Sequence, residues 1–282
     1  MLDNFAIFIL THGRSDRVFT IKTLKNAGYT GRIIILIDNE DNQADDYQKR
    51  YGDNVYIFDK KAVAERIDEG DNFQDRRAII YARNACFSVA EELGIEYFME
   101  LDDDYIDFNW YRAEPDGSYS PHRITKNFDQ LLLIFLKFFK NIPALSIAFA
   151  QTGDFIGGMY STSHKKPKRK CMNSFICSVN RPFEFFGRIN EDVNTYTNLG
   201  ARGGLFITLM QIALNQLQTQ NNSGGMTELY LDSGTYIKSF YSVMYQPSSV
   251  TISLFIHNLQ RLHHRINWPN TVPKIIAEEF KK

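Results

Sequence analysis

Short apolar runs alternate with amphipathic stretches through the first hundred residues. Four of the runs have the length and composition of buried strands, and they occupy residues 5–10, 32–37, 54–59 and 96–101. Helical patterns lie between them, at residues 16–31, 62–67 and 76–94. Runs that are apolar on both faces and alternate with helices are typical of an α/β fold. We therefore predict a mostly parallel central sheet with helices on both faces.

The second half of the chain has a less regular pattern. A hairpin is predicted over residues 108–125 around the turn "PDG", and residues 183–204 are predicted to be a loop that carries acidic residues. The other expected elements are helices at 125–140 and 234–246 and strands at 144–150, 172–180 and 248–256. We expect a single domain whose first half is residues 1–107 and whose second half, residues 108–282, includes a smaller β region.

Polar and acidic residues follow each of the first four predicted strands. The segments after them read "THGRSDR", "DNED", "DKK" and "DDDY". Ligands of open α/β sheets bind outside the carboxyl ends of the strands, so four such ends together indicate a nucleotide site. The chain has no GxGxxG after its first strand and no GxxxxGK[ST], which removes the commonest dinucleotide and P-loop interpretations.

Three consecutive aspartates, Asp102, Asp103 and Asp104, end the fourth strand. Two neighbouring carboxylates repel by about 1 kcal/mol in water and by several times that near a protein surface. Strand alternation predicts that Asp102 and Asp104 face one side and Asp103 the other. Two carboxylates on one side can share Mg²⁺ or Mn²⁺, which bridge readily to a diphosphate. The alternative is a solvated acidic turn or a helix cap.

Composition narrows the class of protein further. The 282 residues are 44% hydrophobic and carry a net charge of −1, which suits one large domain without a global field for nucleic acid or an anionic membrane. The cysteines, at positions 86, 171 and 177, have no CxxC spacing and argue for a reducing cytosol. The N-terminus lacks the pattern of a signal peptide, and residues 131–139 are too few to span a bilayer, so we expect a soluble cytoplasmic protein.

An ordered set of short motifs resembles one protein family. The set comprises "THGR", "YARN", "ELDDDY", "INEDVNTY", "SGGM", "KSFYSVM" and "HHRINW". It is similar to that of the TET-associated glycosyltransferases, relatives of the base J glucosyltransferase, many of them phage-encoded. The resemblance implies a GT-A fold and metal-dependent, inverting transfer of a sugar from a UDP-sugar, most simply UDP-glucose, to hydroxymethyluracil or hydroxymethylcytosine in DNA. It implies a monomer or small oligomer in the cytoplasm, or in the host cytoplasm if the protein is phage-encoded.

The resemblance implies that residues 1–107 bind the nucleotide sugar and that residues 108–282 bind the acceptor. The residues expected to bind the nucleotide sugar are Thr11, Gly13, Arg14, Asp38, Arg76, Arg83, Asn84, Asp102, Asp103 and Gly225. Ordinary alternatives exist for several: a βα loop for "THGR", a helix N-cap for Asp38 and a solvent-facing side chain for Arg76. Arg83 has a second option within the site, which is to hold the acidic tip.

The metal is expected to be Mn²⁺ or Mg²⁺. Its implied ligands are Asp104, Asp102, His263 and His264. At most one of the two adjacent histidines is expected to bind, and a polar surface turn is the alternative for both. Imidazole suits manganese better than magnesium.

Glu191 and Asp192 in "INEDVNTY" are the catalytic candidates. Transfer with inversion needs one base within hydrogen-bond reach of the acceptor hydroxyl. We assign Asp192 as that base and Glu191 as a support or sugar contact, with the reverse assignment open.

A basic segment, "HKKPKRK", is the candidate acceptor contact. Its cations are Lys165, Lys166, Lys168, Arg169 and Lys170. They would contact DNA phosphates, which would make binding depend on salt. The alternative is a solvated loop, the usual fate of such a run.

Other functions remain open at this stage. The same donor chemistry would serve a protein, lipid or polysaccharide acceptor. A nucleotidyltransferase or a sugar-nucleotide pyrophosphorylase also uses paired aspartates, although "THGRSDR" is a poor match to the loop such enzymes carry. A binding module without activity is disfavoured because the aspartate tip, the "ED" pair and a late histidine are all present.

Overall fold

The structure is a computed structural model that describes residues 4–71, 76–160, 169–217, 237–256 and 260–275. Within these residues the strands are β1 Phe5–Leu10, β2 Arg32–Asp38, β3 Val55–Phe58, β4 Tyr97–Asp102, β5 Tyr105–Ala113, β6 Tyr119–Arg123, β7 Ala144–Gln151, β8 Ser174–Ser178, β9 Leu205–Gln216, β10 Val250–Ile256 and β11 Gln260–Ile266. The α-helices are α1 Phe19–Ala27, α2 Ala44–Tyr51, α3 Lys60–Ala64, α4 Ile80–Glu92, α5 Phe128–Lys140, α6 Glu191–Ala201 and α7 Ile237–Tyr245.

Nine of the strands form one sheet in the order β3-β2-β1-β4-β8-β7-β9-β5-β6. The first four strands pair in parallel, as does β7 with β9, while β8, β5 and β6 join their neighbours antiparallel. Strands β10 and β11 form a separate antiparallel pair. Because β1, β2, β3 and β4 are parallel, their carboxyl ends lie along the same edge of the sheet, and this edge holds the candidate site.

Helices cover both faces of the sheet, which confirms the predicted α/β class. Ile7 and Ile9 of β1 point into one apolar layer, which also contains residues of α1, α2 and α5. Phe8 points into the opposite layer with residues of α4 and α6. Burial of each such side chain contributes roughly 1.5–3 kcal/mol, so the two layers fix the sheet firmly enough to hold its strand ends in place.

The segment predicted as an acidic loop, residues 183–204, contains helix α6, so that prediction was wrong. Its sequence "EDVNTYTNLGA" is rich in residues with modest helix propensity, which hides the helix from pattern reading. Tertiary packing provides what propensity does not: Val193 and Tyr196 are buried in the layer against the sheet. The Thr197 hydroxyl also donates to the carbonyl of Val193, at 2.6 Å.

Two further boundaries differ from prediction. The helix expected over residues 76–94 begins only at Ile80, so Arg76 precedes it. The C-terminal tail forms β11, which pairs with β10 through its whole length. Residues 161–168 and 218–236 lie outside the described part of the chain, and with them Lys165, Lys166, Lys168 and Gly225.

Candidate active site

A cavity of about 670 Å³ opens at the carboxyl edge of the parallel strands. The loops after β1, β2 and β4 form one side, and the start of α6 forms the other. The predicted site residues in its wall are Thr11, Gly13, Arg14, Asp38, Arg83, Asp102, Asp103, Asp104, Glu191 and Asp192. The tertiary structure thus brings together residues that are up to 181 positions apart, from Thr11 to Asp192.

The loop after β1 is tied to the aspartate tip. The Thr11 hydroxyl donates to Asp103 Oδ2 at 2.6 Å, and Arg14 Nη1 donates to Asp103 Oδ1 at 3.1 Å. Tyr47 of α2 adds a further link, because its hydroxyl accepts the Arg14 amide at 2.9 Å. Asp103 therefore lies in the cavity wall and does not face away as strand alternation predicted. The alternation stops because β4 ends at Asp102 and the chain turns at once into β5.

Gly13 has φ 65°, in the left-handed region that favours glycine. This conformation directs the Gly13 amide to Asp41 Oδ2, at 2.7 Å. The loop "THGR" is thus a tight turn held by the neighbouring β2–α2 segment.

The end of β2 carries a group of charges around Asp38. Its Oδ2 lies 2.8 Å from His12 Nδ1, and its Oδ1 lies 3.4 Å from Lys60 Nζ. Burial opposes the charge of Asp38, but the hydrogen bond with His12 and the charge of Lys60 outweigh it and lower the pKa of Asp38. The hydrogen bond to Asp38 raises the pKa of His12. Asp38 is therefore a carboxylate at neutral pH, with its charge compensated.

Arg83 is the largest buried side chain at the site, with only 2% of it exposed. Its Nε donates to Glu191 at 3.0 Å, its Nη2 to Asp102 at 3.2 Å and its Nη1 to Glu100 at 3.3 Å. Burial opposes its charge, but the neighbouring carboxylates outweigh burial and raise the pKa of Arg83. Burial also raises the pKa of Glu100 to about 8, so the Glu100 carboxyl is mainly neutral at pH 7.

Asp104 is the least compensated member of the aspartate tip. Its Oδ1 is buried and makes no hydrogen bond among the described residues. Burial, with the charges of Asp102 and Asp103, raises the pKa of Asp104 to about 7. Burial likewise raises the pKa of Asp102 to about 6, although the charge of Arg83 works in the opposite direction.

A divalent cation fits this tip, since carboxylate oxygens are the ligands such ions prefer and Asp104 has a buried oxygen with no hydrogen-bond partner in the described part of the chain. The described residues contain no group of three or more His, Cys, Asp or Glu side chains placed to hold a metal.

Glu191 and Asp192 occupy the first turn of α6. The partial positive charge at a helix N-terminus favours carboxylates there. Asp192 accepts a hydrogen bond from the Val193 amide at 2.7 Å. Burial, and then the charge of Glu191, raises the pKa of Asp192 to about 7. Asp192 is thus poised between its acid and base forms near neutral pH.

Two predicted nucleotide-binding residues lie outside the cavity wall. Arg76 pairs with Glu40 through Nε, at 3.0 Å from Oε1. Asn84 ties its helix to the main chain of Phe185, donating to the carbonyl at 3.1 Å and accepting from the amide at 2.9 Å. Both side chains have structural contacts that explain their presence without a ligand.

The two predicted metal-binding histidines lie on β11, and neither is in the cavity wall. Their ring centroids are 4.4 Å apart. His264 Nδ1 lies 3.5 Å from the side-chain nitrogen of Asn190, which does line the cavity. Burial lowers the pKa of His264 to about 3, so its imidazole is neutral.

The described end of the basic segment makes internal contacts. Arg169 donates to the carbonyl of Trp268 at 2.8 Å, and Lys170 pairs with Asp154 at 2.8 Å.

Sequence reasoning missed several polar residues of the cavity wall: His12, Asn42, Gln43, Lys60, Arg77, Asn173, Asn190, Gln216 and Lys238. His12 and Lys60 belong to "THGR" and "DKK", so the polar strand ends were the available signal for both.

Several solved structures are similar to this chain at low sequence identity. TarS 1–349 of S. aureus, in complex with UDP, matches with a TM-score of 0.45 and 11% identity over 86% of this chain. The match covers 64% of the TarS 1–349 chain, so this chain spans about two thirds of its length. The mannosyltransferase PcManGT from Pyrobaculum calidifontis, in complex with GDP-Man and Mn²⁺, matches with a TM-score of 0.48 and 11% identity, over 87% of this chain and 73% of that one.

No curated protein matches the chain in sequence. Among the described helices, none has the length and apolar character needed to cross a membrane. The family model of the TET-associated glycosyltransferases, in contrast, matches residues 5–225, which includes β1 to β9 and the cavity wall up to Gln216. The chain therefore belongs to the TET-associated glycosyltransferase family, as its motifs predicted, and its sheet has the predicted α/β architecture.

Proposed function

We propose that this protein transfers a sugar from a UDP-sugar, most simply UDP-glucose, to the hydroxymethyl group of a modified pyrimidine in DNA, with inversion. One observation carries the chemical part of the proposal. A strand tip with an uncompensated carboxylate, Asp104, and a helix start with a second one, Asp192, line the same cavity. The first suits the diphosphate side of the reaction and the second suits the acceptor side.

The β1 and β2 ends would bind the nucleotide. Asp38 is held as a carboxylate and can accept from an N–H of the base or an O–H of the ribose. Arg14 is a cation in the cavity wall. The left-handed turn places a glycine, Gly13, in this loop, and glycine has no side chain that would obstruct phosphates. A volume of about 670 Å³ lies within the usual range for sites of small ligands.

Asp102 and Asp104 would hold the Mn²⁺ or Mg²⁺ ion. When bound, the ion would offset the charge that develops on the departing diphosphate. Family resemblance also implies a late histidine, and His264 is the better candidate of the two because it neighbours Asn190 and is neutral. Glu100, buried behind the tip and mainly neutral, limits the excess negative charge around it.

Asp192 would act as the base. It would accept the proton of the acceptor hydroxyl while the oxygen forms its bond to the anomeric carbon. The bond from that carbon to the diphosphate breaks at the same time, and its electron pair leaves with the diphosphate oxygen. A base with a pKa near 7 is well matched to this step at neutral pH. Glu191 is engaged by Arg83 at 3.0 Å, which favours Asp192 over Glu191 for the role.

The acceptor side rests on family membership and on surface chemistry. Trp110 of β5 is 43% exposed, and its strand partner in β6 is the exposed His122. An exposed aromatic ring beside cationic or polar side chains is suited to stacking on a base. Tyr111 and Phe155 stack on each other with their centroids 3.6 Å apart, and therefore support the hairpin. Contact with DNA phosphates is assigned to Lys165, Lys166 and Lys168, because Arg169 and Lys170 have internal partners.

Two assays test the proposal. UDP release is measured from UDP-sugars with Mn²⁺, with and without EDTA, and release that EDTA abolishes is expected. Radiolabelled UDP-glucose is then incubated with unmodified, hydroxymethylcytosine and hydroxymethyluracil DNA of the same sequence. We expect label on hydroxymethylated DNA alone. Label that appears only on protein, lipid or polysaccharide contradicts the DNA acceptor and supports a different acceptor for the same donor chemistry.

A further inference from the structure

We propose that Arg83 is a positioning residue that joins the two halves of the site. Its guanidinium links Asp102, at the end of β4, to Glu191, at the start of α6, and so sets where Asp192 stands relative to the donor sugar. The inference rests on the proposed function, because it takes Asp192 as the base. It replaces a direct role of Arg83 in binding the nucleotide.

All three nitrogens of the Arg83 guanidinium are engaged by protein groups. Nε, Nη1 and Nη2 each donate to a different carboxyl group, on Glu191, Glu100 and Asp102. A guanidinium is planar and presents its N–H groups as a rigid fork, so three such bonds hold their partners in fixed directions. Two of these partners belong to β4 and one to α6, which are distant in sequence and meet at this cation.

The Arg83 side chain is held rigidly by the residues packed around it. Its guanidinium carbon lies 4.8 Å from the ring centroid of Phe175 and 5.9 Å from that of Phe185. The neighbouring Asn84 fixes the main chain of Phe185 with two hydrogen bonds. An arginine held by packing on one side transmits its position to the groups it binds on the other.

The bond from Arg83 to Glu191 supports the start of helix α6, which lacks a side-chain cap. Asn190 precedes the helix in a left-handed conformation, with φ 60° and ψ 35°, and its side chain makes no capping hydrogen bond. Glu191 is the first helical residue, and its bond to Arg83 fixes the first turn from outside. Asp192 follows in the same turn, so a shift of Glu191 moves Asp192 as well.

The charge of Arg83 also holds the acidic groups of β4 and α6 together. Glu100, Asp102 and Glu191 surround one cation in a buried region. Removing the cation leaves the carboxylates of β4 and α6 to repel each other, since the screening of water is largely absent there. Lysine would keep the charge, but a single ammonium cannot make the three directed contacts of the fork.

The test compares Arg83→Met, Arg83→Lys and Arg83→Ala with wild type. Arg181→Met is the matched control, because Arg181 also makes three hydrogen bonds, to the carbonyls of Phe139, Ile142 and Ala144, away from the cavity. We measure kcat and the KM for the UDP-sugar, and the hydrogen exchange of amides 190–195 without ligands.

Arg83→Met is expected to lower kcat by about 100-fold, the effect of misplacing a catalytic group by about 1 Å, with KM changed less than about 3-fold. Amides 190–195 should exchange faster. Arg83→Lys should recover less than a tenth of the lost kcat. Guanidinium chloride should restore part of kcat in Arg83→Ala, while NaCl at the same ionic strength should not. Arg181→Met should lower Tm and leave kcat within about 2-fold, as for a site without coupling to the cavity.

A rise in KM with kcat preserved would overturn the inference and return Arg83 to nucleotide binding. Unchanged kcat and exchange in Arg83→Met, with an active wild type, would also overturn it. If wild type transfers no sugar but amides 190–195 lose protection in Arg83→Met, the link stands and the proposed function fails. Should Arg83→Met not fold, Glu191→Leu provides the same exchange measurement from the other partner, because leucine cannot accept the hydrogen bond from Arg83. Protected amides in that variant would contradict the link.

Discussion

The site has two acidic regions, in which neighbouring carboxylates would repel each other. One is the β4 tip with Asp103 and Asp104, and the other is the α6 start with Glu191 and Asp192. The protein pairs carboxylates of both regions with arginines: Arg14 pairs with Asp103, and Arg83 pairs with both Asp102 and Glu191. Each region also contains one carboxylate that the protein leaves with a raised pKa of about 7, Asp104 and Asp192.

The surroundings of the two uncompensated carboxylates differ. Asp104 stands among like charges and has a buried oxygen without a hydrogen bond among the described residues, so an external cation would relieve it. Burial and the charge of Glu191 favour the protonated form of Asp192, although the hydrogen bond from the Val193 amide favours the charged form. This comparison supports the proposal that the Asp104 end of the cavity holds a metal ion and that the Asp192 end accepts a proton.

The largest expected effect on kcat comes from a substitution on the α6 side of the cavity. Asp192→Asn removes the base but keeps the shape, so kcat should fall by about 10³-fold, within the usual range for a general base. Binding of the UDP-sugar, measured by calorimetry, should stay within about 3-fold, because the donor contacts lie at the strand ends. Glu191→Gln is the matched variant and should lose less in kcat. Normal turnover in a folded Asp192→Asn would contradict the assignment.

The next largest effect on kcat is expected from a substitution on the β4 side of the cavity. Asp104→Asn should lower kcat by about 100-fold at fixed Mn²⁺, since a bound ion contributes several kcal/mol of transition-state stabilisation. Without metal, the same variant should match or exceed the Tm of wild type, because a neutral amide relieves repulsion with Asp102 and Asp103. Mn²⁺ at 100 times its Kd should stabilise wild type by about 2.7 kcal/mol and the variant by less. A metal-free Tm well below that of wild type would show that Asp104 has a structural partner.

Changes in pH sharpen the comparison by moving stability and activity in opposite directions. The folded-state pKa of Asp104 and of Asp192, about 7, lies above the value in the unfolded chain, about 3.9. The folded state therefore binds more protons between these values, and stability declines as pH rises from about 4 to about 7. In EDTA, Tm should be higher at pH 5 than at pH 8, and the slope should be smaller in Asp104→Asn.

Activity should instead rise with pH, because Asp192 works as a base only when deprotonated. The kcat profile should have an ascending limb near pH 7 that disappears in the residual activity of Asp192→Asn. A limb that survives this substitution would belong to another group.

The smallest effect concerns Arg76, whose contact with Glu40 lies outside the cavity wall. Arg76→Ala should change the KM for the UDP-sugar by less than about 2-fold, as expected for an exposed ion pair. Arg14→Ala is the comparison, because Arg14 is in the cavity wall, and its KM should rise more. An increase above 10-fold in Arg76→Ala would place Arg76 in the nucleotide site, as the family resemblance implies.

The sequence alone determined the parallel βα half and the position of the aspartate tip. Continuous apolar runs and helical stripes are local patterns, and the polar residues after β1, β2, β3 and β4 mark strand ends directly. Because parallel strands end at the same edge, those marks predicted that Thr11, Asp38 and Asp102 lie close together, and all three line one cavity.

The tertiary structure alone decided what each acid does. Helix α6 forms against local propensity because Val193 and Tyr196 are buried, and Arg83 finds Glu191 from 108 positions away. Asp103 turns into the cavity because β4 ends one residue before it. These outcomes depend on burial and on long-range charge pairs, which no local pattern encodes, and they separate the compensated carboxylates from the two that are left for chemistry.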